Sequence, residues 1–436
     1  MPDDKPGRLE ALVERPADRE LSLRACAGSD AVSPAADGRA GARLRVLVLT
    51  SSTGGGHDAR AEAFRDWAWK LYGRAVEVRI DHTLETSSPW YAFGVDLYNT
   101  IQRREPFFHH LYYHVGEVFG SFQRRRIRVG RRYFDRLLRD FRPDVILSVH
   151  SILNRGYFRH AKQVLGDRVF CVTYCGEFKG SYGFSRNWVA EEVDLFLGRT
   201  PLTLESAKAY GLPAHKAKCL GHLLKPSFYD DPMSPEERSA YLVERFGLAA
   251  ERFTLLLATG GAGAQNHVGL LDSLLPYAGR LQAIVLCGHA RGTREELEAW
   301  RAKHPDLGLA ILPHSDEMRR LLQVASAVVA RPGTTTTAEA LQLSCPIIFN
   351  RIGGTMPQEY CTLRFFRMLD LAPCVRTPAE IARRLGPWLT EPKTYERYLV
   401  RFRAARMEDD PEALVAAVLE PALGKTLPPT TWPRRR

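Results

Sequence analysis

The sequence predicts an α/β protein of two domains, each with a parallel β-sheet covered by helices. The chain has 436 residues, which is more than a single hydrophobic core usually accommodates. Short apolar runs alternate with helical stretches along most of its length, stop at a proline-containing segment at 230–236 and then resume. Because repeated strand–helix units form parallel sheets with right-handed crossovers, the two series predict two Rossmann-like domains.

Changes in composition along the chain determine the predicted domain boundaries. We expect a disordered leader at 1–42, a first Rossmann-like domain at 43–228, a linker region at 229–250, a second Rossmann-like domain at 251–405, and a C-terminal helix with a basic tail at 406–436. The leader has neither hydrophobic period nor the apolar core of a signal peptide, and no later run is long enough to predict a membrane-spanning helix. The eight cysteines form no CxxC pair, which predicts a reducing compartment without structural zinc.

The protein is strongly basic, with a formal net charge of +11 and a pI near 9.3. This charge implies an anionic partner: a nucleic acid, an acidic membrane or a phosphorylated ligand. Between 90 and 142, aromatic residues are interleaved with many arginines, which suits a segment that lies on an anionic lipid surface. The same mixture can stack on RNA or form a solvated helix face. His110 and His114 stand one helical turn apart without an accompanying carboxylate motif, so we predict no metal site.

A glycine-rich motif follows the first predicted strand, LRVLVLT at 44–50. Gly54, Gly55 and Gly56 precede a helix predicted from Asp58, and consecutive glycines let the backbone bend sharply and a ligand approach the helix N-terminus. The motif is not the GxGxxG fingerprint of dinucleotide-binding proteins. His57 at the helix start is expected to have a lowered pKa, to be neutral and to accept a proton. A capping histidine is the alternative.

A second motif follows a strand predicted at 327–330. Pro332 and Gly333 interrupt the chain before a helix that begins within four threonines, at 334–337. Their hydroxyls are predicted to cap the helix, whose free N–H groups favour a phosphate or another anion. Glu339 is predicted on the first turn, where a carboxylate can accept hydrogen bonds from ribose hydroxyls. An ordinary capped helix explains the same residues.

The two motifs carry a family resemblance. They read TGGGHDARAEAF at 53–64 and RPGTTTTAEAL at 331–341, and the second is followed by CPIIFN, a glycine pair and Gln358-Glu359. Together they resemble the monogalactosyldiacylglycerol synthase and processive diacylglycerol glucosyltransferase family and, more distantly, the peptidoglycan N-acetylglucosaminyltransferase. The resemblance covers 44–400 and implies the GT-B architecture, in which two Rossmann-like domains with parallel sheets face a cleft.

The resemblance also implies roles for individual residues. Glu339 would meet the ribose of a UDP-sugar, the threonine turn would meet the diphosphate, and Gln358 with Glu359 would meet the sugar hydroxyls. His57 would deprotonate the acceptor hydroxyl beside an acceptor loop of Gly54, Gly55 and Gly56. The predicted donor-binding residues are Gly260, Gly261, Gly263, His314, Met318, Arg331, Gly333, Thr334, Thr335, Thr336, Glu339, Gln358 and Glu359.

The chain departs from the family pattern at the end of one strand. Where the family carries Thr-Asp, this chain has Thr173-Tyr174, followed by Glu177. We interpret Glu177 as the replacement for the missing carboxylate and as a second candidate catalytic residue.

The sequence therefore predicts a UDP-sugar-dependent hexosyltransferase that acts on a diacylglycerol-like lipid with inversion, in glycolipid biosynthesis. It is expected to need neither cofactor nor metal, since a helix start and Arg331 can stabilise the leaving UDP. Its expected partners are the UDP-sugar, the lipid acceptor and an anionic membrane surface, and not nucleic acid. We expect a cytoplasmic protein, peripherally associated with the inner face of the membrane. The alternatives are a nucleotide-sugar epimerase of the same fold and a non-catalytic basic binding protein that kept the fold.

Overall fold

The computed structural model describes residues 43–104, 108–122, 126–258, 266–288 and 291–426. The segments predicted as leader and as basic tail, 1–42 and 427–436, lie outside these ranges. The described chain contains two six-stranded parallel sheets with helices between the strands, so the predicted α/β class is confirmed.

The first sheet is formed by the first half of the chain. Its strands are β1 (Leu44–Thr50), β2 (Val76–His82), β3 (Val145–Ser148), β4 (Phe170–Cys175), β5 (Leu195–Gly198) and β6 (Ala217–Cys219). The helices between them are α1 (Gly56–Tyr72), α2 (Thr83–Ser87), α3 (Pro89–Arg104), α4 (His109–Phe122), α5 (Arg131–Phe141), α6 (Arg155–Leu165) and α7 (Pro201–Ala209). The strand order is β2-β1-β3-β4-β5-β6, and all neighbours are parallel.

The second sheet is formed by the second half of the chain. Its strands are β7 (Phe253–Ala258), β8 (Leu281–Leu286), β9 (Gly308–Leu312), β10 (Ala327–Ala330), β11 (Ile347–Asn350) and β12 (Cys374–Val375). The helices of this half are α8 (Pro235–Phe246), α9 (His267–Leu274), α10 (Arg291–Lys303), α11 (Met318–Val324), α12 (Thr334–Gln342), α13 (Glu359–Met368), α14 (Glu380–Thr390), α15 (Pro392–Ala404) and α16 (Pro411–Thr426). The strand order is β12-β11-β10-β7-β8-β9.

Burial on both faces explains why the central strands are continuous apolar runs. In β1, Leu44 and Val46 pack into one hydrophobic cluster while Leu47 packs into another on the opposite face. In β7, Leu255 and Leu256 divide in the same way. Successive side chains of a strand point to opposite faces, so each sheet is the middle layer of three and both of its faces are covered.

Two segments do not fit a description of the chain as two separate domains joined by a linker. The region at 229–250, predicted as linker, contains the helix α8, which begins at a capping box of Ser234 and Glu237 and buries Leu242 in a core shared with the second sheet. At the C-terminal end, α16 packs Leu414 and Leu419 against the first sheet, although it follows the second sheet in the chain. The two halves therefore share helices as well as a connecting segment.

The strand orders locate a cleft. In the first sheet the chain moves outward from β1 in one direction and from β3 in the other, and in the second sheet from β7 and β10. Ligands of open α/β sheets bind at such switch points, outside the carboxyl ends of the strands. The glycine-rich motif directly follows β1, and the threonine motif directly follows β10. The fold thus places both motifs where a ligand is expected.

Candidate active site

A cavity of about 800 Å³ lies where the loops after β1, β3 and β10 meet. It is lined by these residues that the sequence predicted: Gly54, Gly55, Gly56, His57, Glu177, His314, Met318, Arg331, Gly333, Thr334, Thr335, Thr336, Glu339, Gln358 and Glu359. The predicted glycines after β7, Gly260, Gly261 and Gly263, lie outside the described residues. Residues from both halves of the chain therefore form one site.

The glycine-rich loop turns the chain sharply from β1 into α1. Gly54 and Gly55 have φ angles of 75° and 76°, which residues with a Cβ rarely adopt. Asn99 of α3 holds the loop, since its Oδ1 accepts from the N–H of Gly54 and its Nδ2 donates to the carbonyl of Ser52, both at 3.1 Å. Gly55 provides no side-chain cap, so the first N–H groups of α1 have no intrahelical partner.

His57 lies in the first turn of α1, on the wall of the cavity. Its Nδ1 is 2.7 Å from the carbonyl oxygen of Val149, which follows β3. Because a carbonyl oxygen can only accept, Nδ1 carries the proton and Nε2 keeps its lone pair. Burial, reinforced by His150 and Arg60, lowers the pKa of His57 well below its usual range. The imidazole is therefore neutral at physiological pH and can accept a proton at Nε2.

His150 supports the ring of His57. The two ring centroids are 4.4 Å apart. Nδ1 of His150 accepts from the N–H of Ile152 at 3.3 Å, so Nε2 carries the proton and lies 3.2 Å from Oγ1 of Thr53. Burial lowers the pKa of His150 to about 4, with a further contribution from Arg60. Two neutral histidines therefore stand side by side at the carboxyl ends of β1 and β3.

The threonine motif forms the first turn of α12, but its hydroxyls do not cap the helix as predicted. Gly333 is the capping residue and offers no side chain. Thr337 instead donates from Oγ1 to the carbonyl of Gly333 at 2.5 Å, a competing bond that hydroxyl residues commonly make within helices. The N–H groups of Thr334, Thr335 and Thr336 have no intrahelical partner, and all three residues line the cavity. This helix start remains suited to an anion.

Glu339 lies on the second turn of α12, and not on the predicted first. It lines the cavity half-buried, and among the described residues none donates a hydrogen bond to its carboxylate. Burial raises the pKa of Glu339 to about 7, although Lys225 opposes this. The carboxyl group can therefore accept hydrogen bonds from a ligand, and it does so as a carboxylate once it has lost its proton near neutral pH.

Arg331 and Glu359 are bound to each other. Arg331 donates from Nε and Nη2 to the two carboxylate oxygens of Glu359, at 2.9 and 2.6 Å, and also to the carbonyls of Ile352 and Gly354. Glu359 accepts in addition from the N–H of Met356 at 2.7 Å. Such a bidentate pair fixes geometry strongly. Where the sequence predicted contacts of Arg331 with the leaving diphosphate and of Glu359 with the sugar, the structure uses both side chains to hold the loop between β11 and α13.

Several contacts join that loop to the first half of the chain, among them one of 3.0 Å between Nε2 of His110 and the carbonyl oxygen of Thr355. Gln358 donates from Nε2 to the hydroxyl of Tyr98 on α3 at 2.6 Å. Gly183, with a φ of 98°, lies so near the Pro357 carbonyl that a Cβ at this position would clash with it. The close approach requires glycine here and places Gln358 beside the first half of the chain.

Glu177 occupies the position after β4 where the sequence departs from the family pattern. It is only 7% exposed, and its Oε2 has no hydrogen-bond partner among the described residues. Burial raises the pKa of Glu177 to about 7, against the opposing charges of Arg60 and Arg199. A buried carboxyl oxygen without a partner costs free energy, so this group is suited to a ligand that donates a hydrogen bond.

Of three further histidines named from the sequence, one lines the cavity and two contact a tyrosine. His314 and Met318 line the cavity at the start of α11. His110 and His114, which stand one turn apart on α4, both contact the hydroxyl of Tyr182, at 3.0 and 3.1 Å. In the described part of the chain, no three His, Cys, Asp or Glu side chains come together in a way that could hold a metal ion.

Comparison with known sequences agrees with this geometry. Residues 57–222 match the family model described as Monogalactosyldiacylglycerol (MGDG) synthase. The chain is 22% identical over 389 residues to a processive diacylglycerol beta-glucosyltransferase of Bacillus subtilis (strain 168), an alignment that covers 86% of this chain and 95% of the relative. It is 24% identical over 363 residues to the enzyme of the same description from Bacillus cereus (strain AH187), covering 77% and 83%. The resemblance inferred from the two motifs is confirmed.

Solved structures decide the architecture. The MurG protein of Acinetobacter baumannii matches with a TM-score of 0.54 at 14% identity, covering 86% of this chain and 99% of MurG. Anabaena Alr3699/HepE in complex with UDP-glucose matches with a TM-score of 0.51 at 12% identity, covering 88% and 100%. The protein has the GT-B fold. Its two parallel sheets and the cavity at their switch points are the arrangement that the sequence predicted.

Sequence reasoning missed Arg60, His150 and Tyr98, which also line the cavity. Arg60 follows His57 by three residues on α1, and this spacing, which puts two side chains on one helix face, could have identified it. His150 follows β3, the neighbour of β1, so its position at a strand's carboxyl end was a signal as well. No local pattern in the sequence connects Tyr98 to the second half of the chain.

Proposed function

We propose that this protein transfers a hexose from a UDP-sugar to the hydroxyl group of a diacylglycerol-like lipid, in a single displacement that inverts the anomeric carbon. One observation carries the proposal: a neutral histidine with a free Nε2 and an uncapped helix start with an available carboxyl group line the same cavity. The first can take a proton from an acceptor, and the second can hold a nucleoside diphosphate. The diacylglycerol glucosyltransferases among the relatives support the substrate class.

The donor is held by the second half of the chain. In our proposal the diphosphate lies against the N–H groups of Thr334, Thr335 and Thr336, where the positive end of the α12 dipole favours it. Glu339 accepts hydrogen bonds from the ribose hydroxyls, since its carboxylate is otherwise unpartnered among the described residues. His314 and Met318 contact the base, and Gln358 lies at the hexose.

The acceptor is held and activated by the first half. Its hydroxyl group lies between the glycine-rich loop and His57, whose Nε2 removes the proton as the oxygen attacks the anomeric carbon. The bond between that carbon and the diphosphate breaks, and its electron pair leaves with UDP. The Nδ1–H of His57 stays bound to the carbonyl of Val149, which fixes the tautomer throughout. Glu177, with its unpartnered oxygen, accepts a hydrogen bond from a substrate hydroxyl.

We further propose that α3 and α4 rest on an anionic membrane at its cytoplasmic face. Trp90 is 82% exposed and Val115 60% exposed, and both also line the cavity, so an exposed apolar surface continues into the site. No helix in the described ranges is long and apolar enough to cross a bilayer. A cluster of arginines, Arg126, Arg128, Arg131, Arg132 and Arg136, borders Thr86 and Ser87 just before α3. A lipid acceptor would enter from such a surface directly.

Turnover with and without acceptor tests the function. Purified protein incubated with UDP-glucose or UDP-galactose and diacylglycerol-containing liposomes should form a hexosyl-diacylglycerol and one UDP per lipid product, as measured by mass spectrometry of the lipids. Without diacylglycerol, consumption of the donor should be negligible. Interconversion of UDP-glucose and UDP-galactose without acceptor would identify an epimerase, and no consumption of either donor would favour a binding protein.

A further inference from the structure

Arg60 connects the two helix starts of the cavity. It lies on α1 and is only 6% exposed. Its Nη2 donates to Oγ1 of Thr334, the first residue of α12, at 2.7 Å. Its Nη1 is 3.3 Å from Nδ1 of His57. The guanidinium packs across Gly176, where a Cβ would lie 2.7 Å from Nε of Arg60. The charge thus sits between the proton-accepting histidine and the helix start suited to a diphosphate.

The charge of this buried cation is not compensated by an ion pair in the described part of the chain, although it acts on the nearby carboxyl group of Glu177. Among the described residues, no carboxylate forms an ion pair with Arg60, whereas Arg331 in the same cavity is paired with Glu359. Its charge acts on its neighbours instead, since it contributes to the lowered pKa of both His57 and His150. A buried charge is costly unless it is paired. The position next to Thr334 is therefore suited to an anion that pairs with Arg60.

We propose that Arg60 is a catalytic residue that binds the β-phosphate of the UDP-sugar and neutralises the charge developing there as UDP leaves. This inference rests on the proposed function. In the reaction, the acceptor oxygen forms a bond to the anomeric carbon while the bond from that carbon to the β-phosphate oxygen breaks. The electron pair of the broken bond stays on the phosphate, beside Arg60, and the acceptor proton goes to Nε2 of His57. A preorganised cation at the site of developing charge lowers the barrier.

The position of Arg60 also couples donor binding to base strength. Before the donor binds, the guanidinium is held by a neutral hydroxyl, and its charge helps to keep His57 unprotonated. A diphosphate bound at Arg60 offsets that charge and removes its contribution to the lowered pKa of His57, whereas burial and His150 continue to lower it. Donor binding therefore makes the histidine a somewhat stronger base. The cation and the base can act together because one helix, α1, carries both.

Affinities for uridine, UMP and UDP separate a phosphate contact from a structural role. By calorimetry, Arg60→Met should weaken UDP binding roughly 10- to 100-fold, the range of a charge-assisted hydrogen bond, and leave uridine binding unchanged. Its kcat at saturating donor should fall roughly 10²- to 10³-fold. Arg60→Lys, which keeps the charge, should recover part of the UDP affinity. Arg65→Met, an exposed arginine of the same helix paired with Asp66, is the matched control and should behave as wild type.

Each contrary outcome has a distinct meaning. Equal losses for uridine and UDP in both Arg60 variants would show that Arg60 only maintains the fold of the cavity, and would overturn the inference. UDP affinity that is unchanged in Arg60→Met would overturn it as well. If wild-type protein binds none of the three ligands, the proposed function itself fails, and that result is separate from any effect of Arg60.

Discussion

The helices α1 and α12 begin next to each other at the cavity, where Oγ1 of Thr335 lies 3.4 Å from the carbonyl oxygen of Gly56. Their starts are alike in backbone but different in side chains. Both follow a central strand of a parallel sheet, and both start at a glycine that provides no side-chain cap. The start of α1 carries an imidazole and a guanidinium, His57 and Arg60. The start of α12 carries hydroxyl groups and, one turn later, the carboxyl group of Glu339. In our proposal, the same structural element positions the base in one half and the donor in the other.

The surroundings of the two starts differ as well. In the first half, exposed large apolar residues lie on α3, on α4 and just before α4: Trp90, Phe93, Leu97, Phe108, Leu111, Val115 and Val118. Of these, Trp90 and Val115 also line the cavity. In the described second half, the exposed large apolar side chains are Val243 and Val400, on α8 and α15. If the two halves have these separate roles, changes in the first half other than at Arg60 should affect catalysis and acceptor access, and changes in the second half should affect donor affinity.

The largest effect is expected at the base. His57→Ala should lower kcat by roughly 10²- to 10⁴-fold, with little change in the affinity for UDP-glucose, because proton abstraction matters only in the transition state. Single-turnover kinetics together with calorimetry would measure the two quantities. His215→Ala, an exposed histidine remote in sequence from the motifs, provides the control. A kcat close to wild type would transfer the role of base to Glu177.

A smaller effect, confined to donor binding, is expected at Glu339. Glu339→Gln should weaken UDP-glucose binding at pH 8 by roughly 10- to 100-fold, since a charged acceptor of ribose hydroxyls is lost. In wild type the pKa of Glu339 is raised to about 7, so the ionised form is present above pH 7 and is lost below it. Affinity should therefore fall by up to about tenfold from pH 8 to pH 6 in wild type.

Glu177, in the first half of the chain, provides a control for the pH dependence of donor affinity. Glu177 also has a pKa raised to about 7, so both carboxyl groups titrate in the same range. Glu177→Gln should keep the pH dependence of donor affinity, and Glu339→Gln should abolish it. The reverse assignment would contradict the division between the two helix starts.

The fold and the positions of the two motifs were predictable because they follow from local patterns. Apolar runs such as LRVLVLT, buried on both faces, identify central parallel strands, and a glycine or threonine motif directly after such a strand falls at the ligand-binding edge. Helix-capping preferences, in contrast, misled the prediction at Thr334. A glycine precedes the helix, and the hydroxyl of Thr337 bonds to its carbonyl, a choice that depends on local geometry and not on residue type.

Tertiary pairing limited the prediction of individual roles. Arg331 and Glu359 are 28 positions apart, and nothing in either motif indicates that they bind each other. Arg60 and Thr334 lie 274 positions apart, on helices that follow strands of different sheets. The sequence contains many arginines, and only the fold shows which of them pair with a carboxylate and which, among the described residues, do not.

The smallest effect per residue is expected at the membrane surface, where only the first half should contribute. Arg126, Arg128 and Arg132 are exposed, and each arginine near an anionic surface adds on the order of 1 kcal/mol to binding. Changing the three together to glutamine should reduce retention by liposomes that contain phosphatidylglycerol, measured by sedimentation at low ionic strength. Arg301, Arg383 and Arg397, exposed arginines of the second half, form the matched control set when changed in the same way.

Salt and lipid charge determine what the retention means. Electrostatic binding weakens as the screening length shortens to about 8 Å near physiological ionic strength, so wild-type retention should fall with salt. Neutral liposomes should retain less protein than anionic ones, and Trp90→Ala should lower retention on both, because an exposed indole enters the headgroup region whatever its charge. Equal losses from both arginine sets would mean that net charge alone drives binding. The arginine cluster beside α3 would then have no special role, and the two halves would differ in their helix starts but not in their contact with lipid.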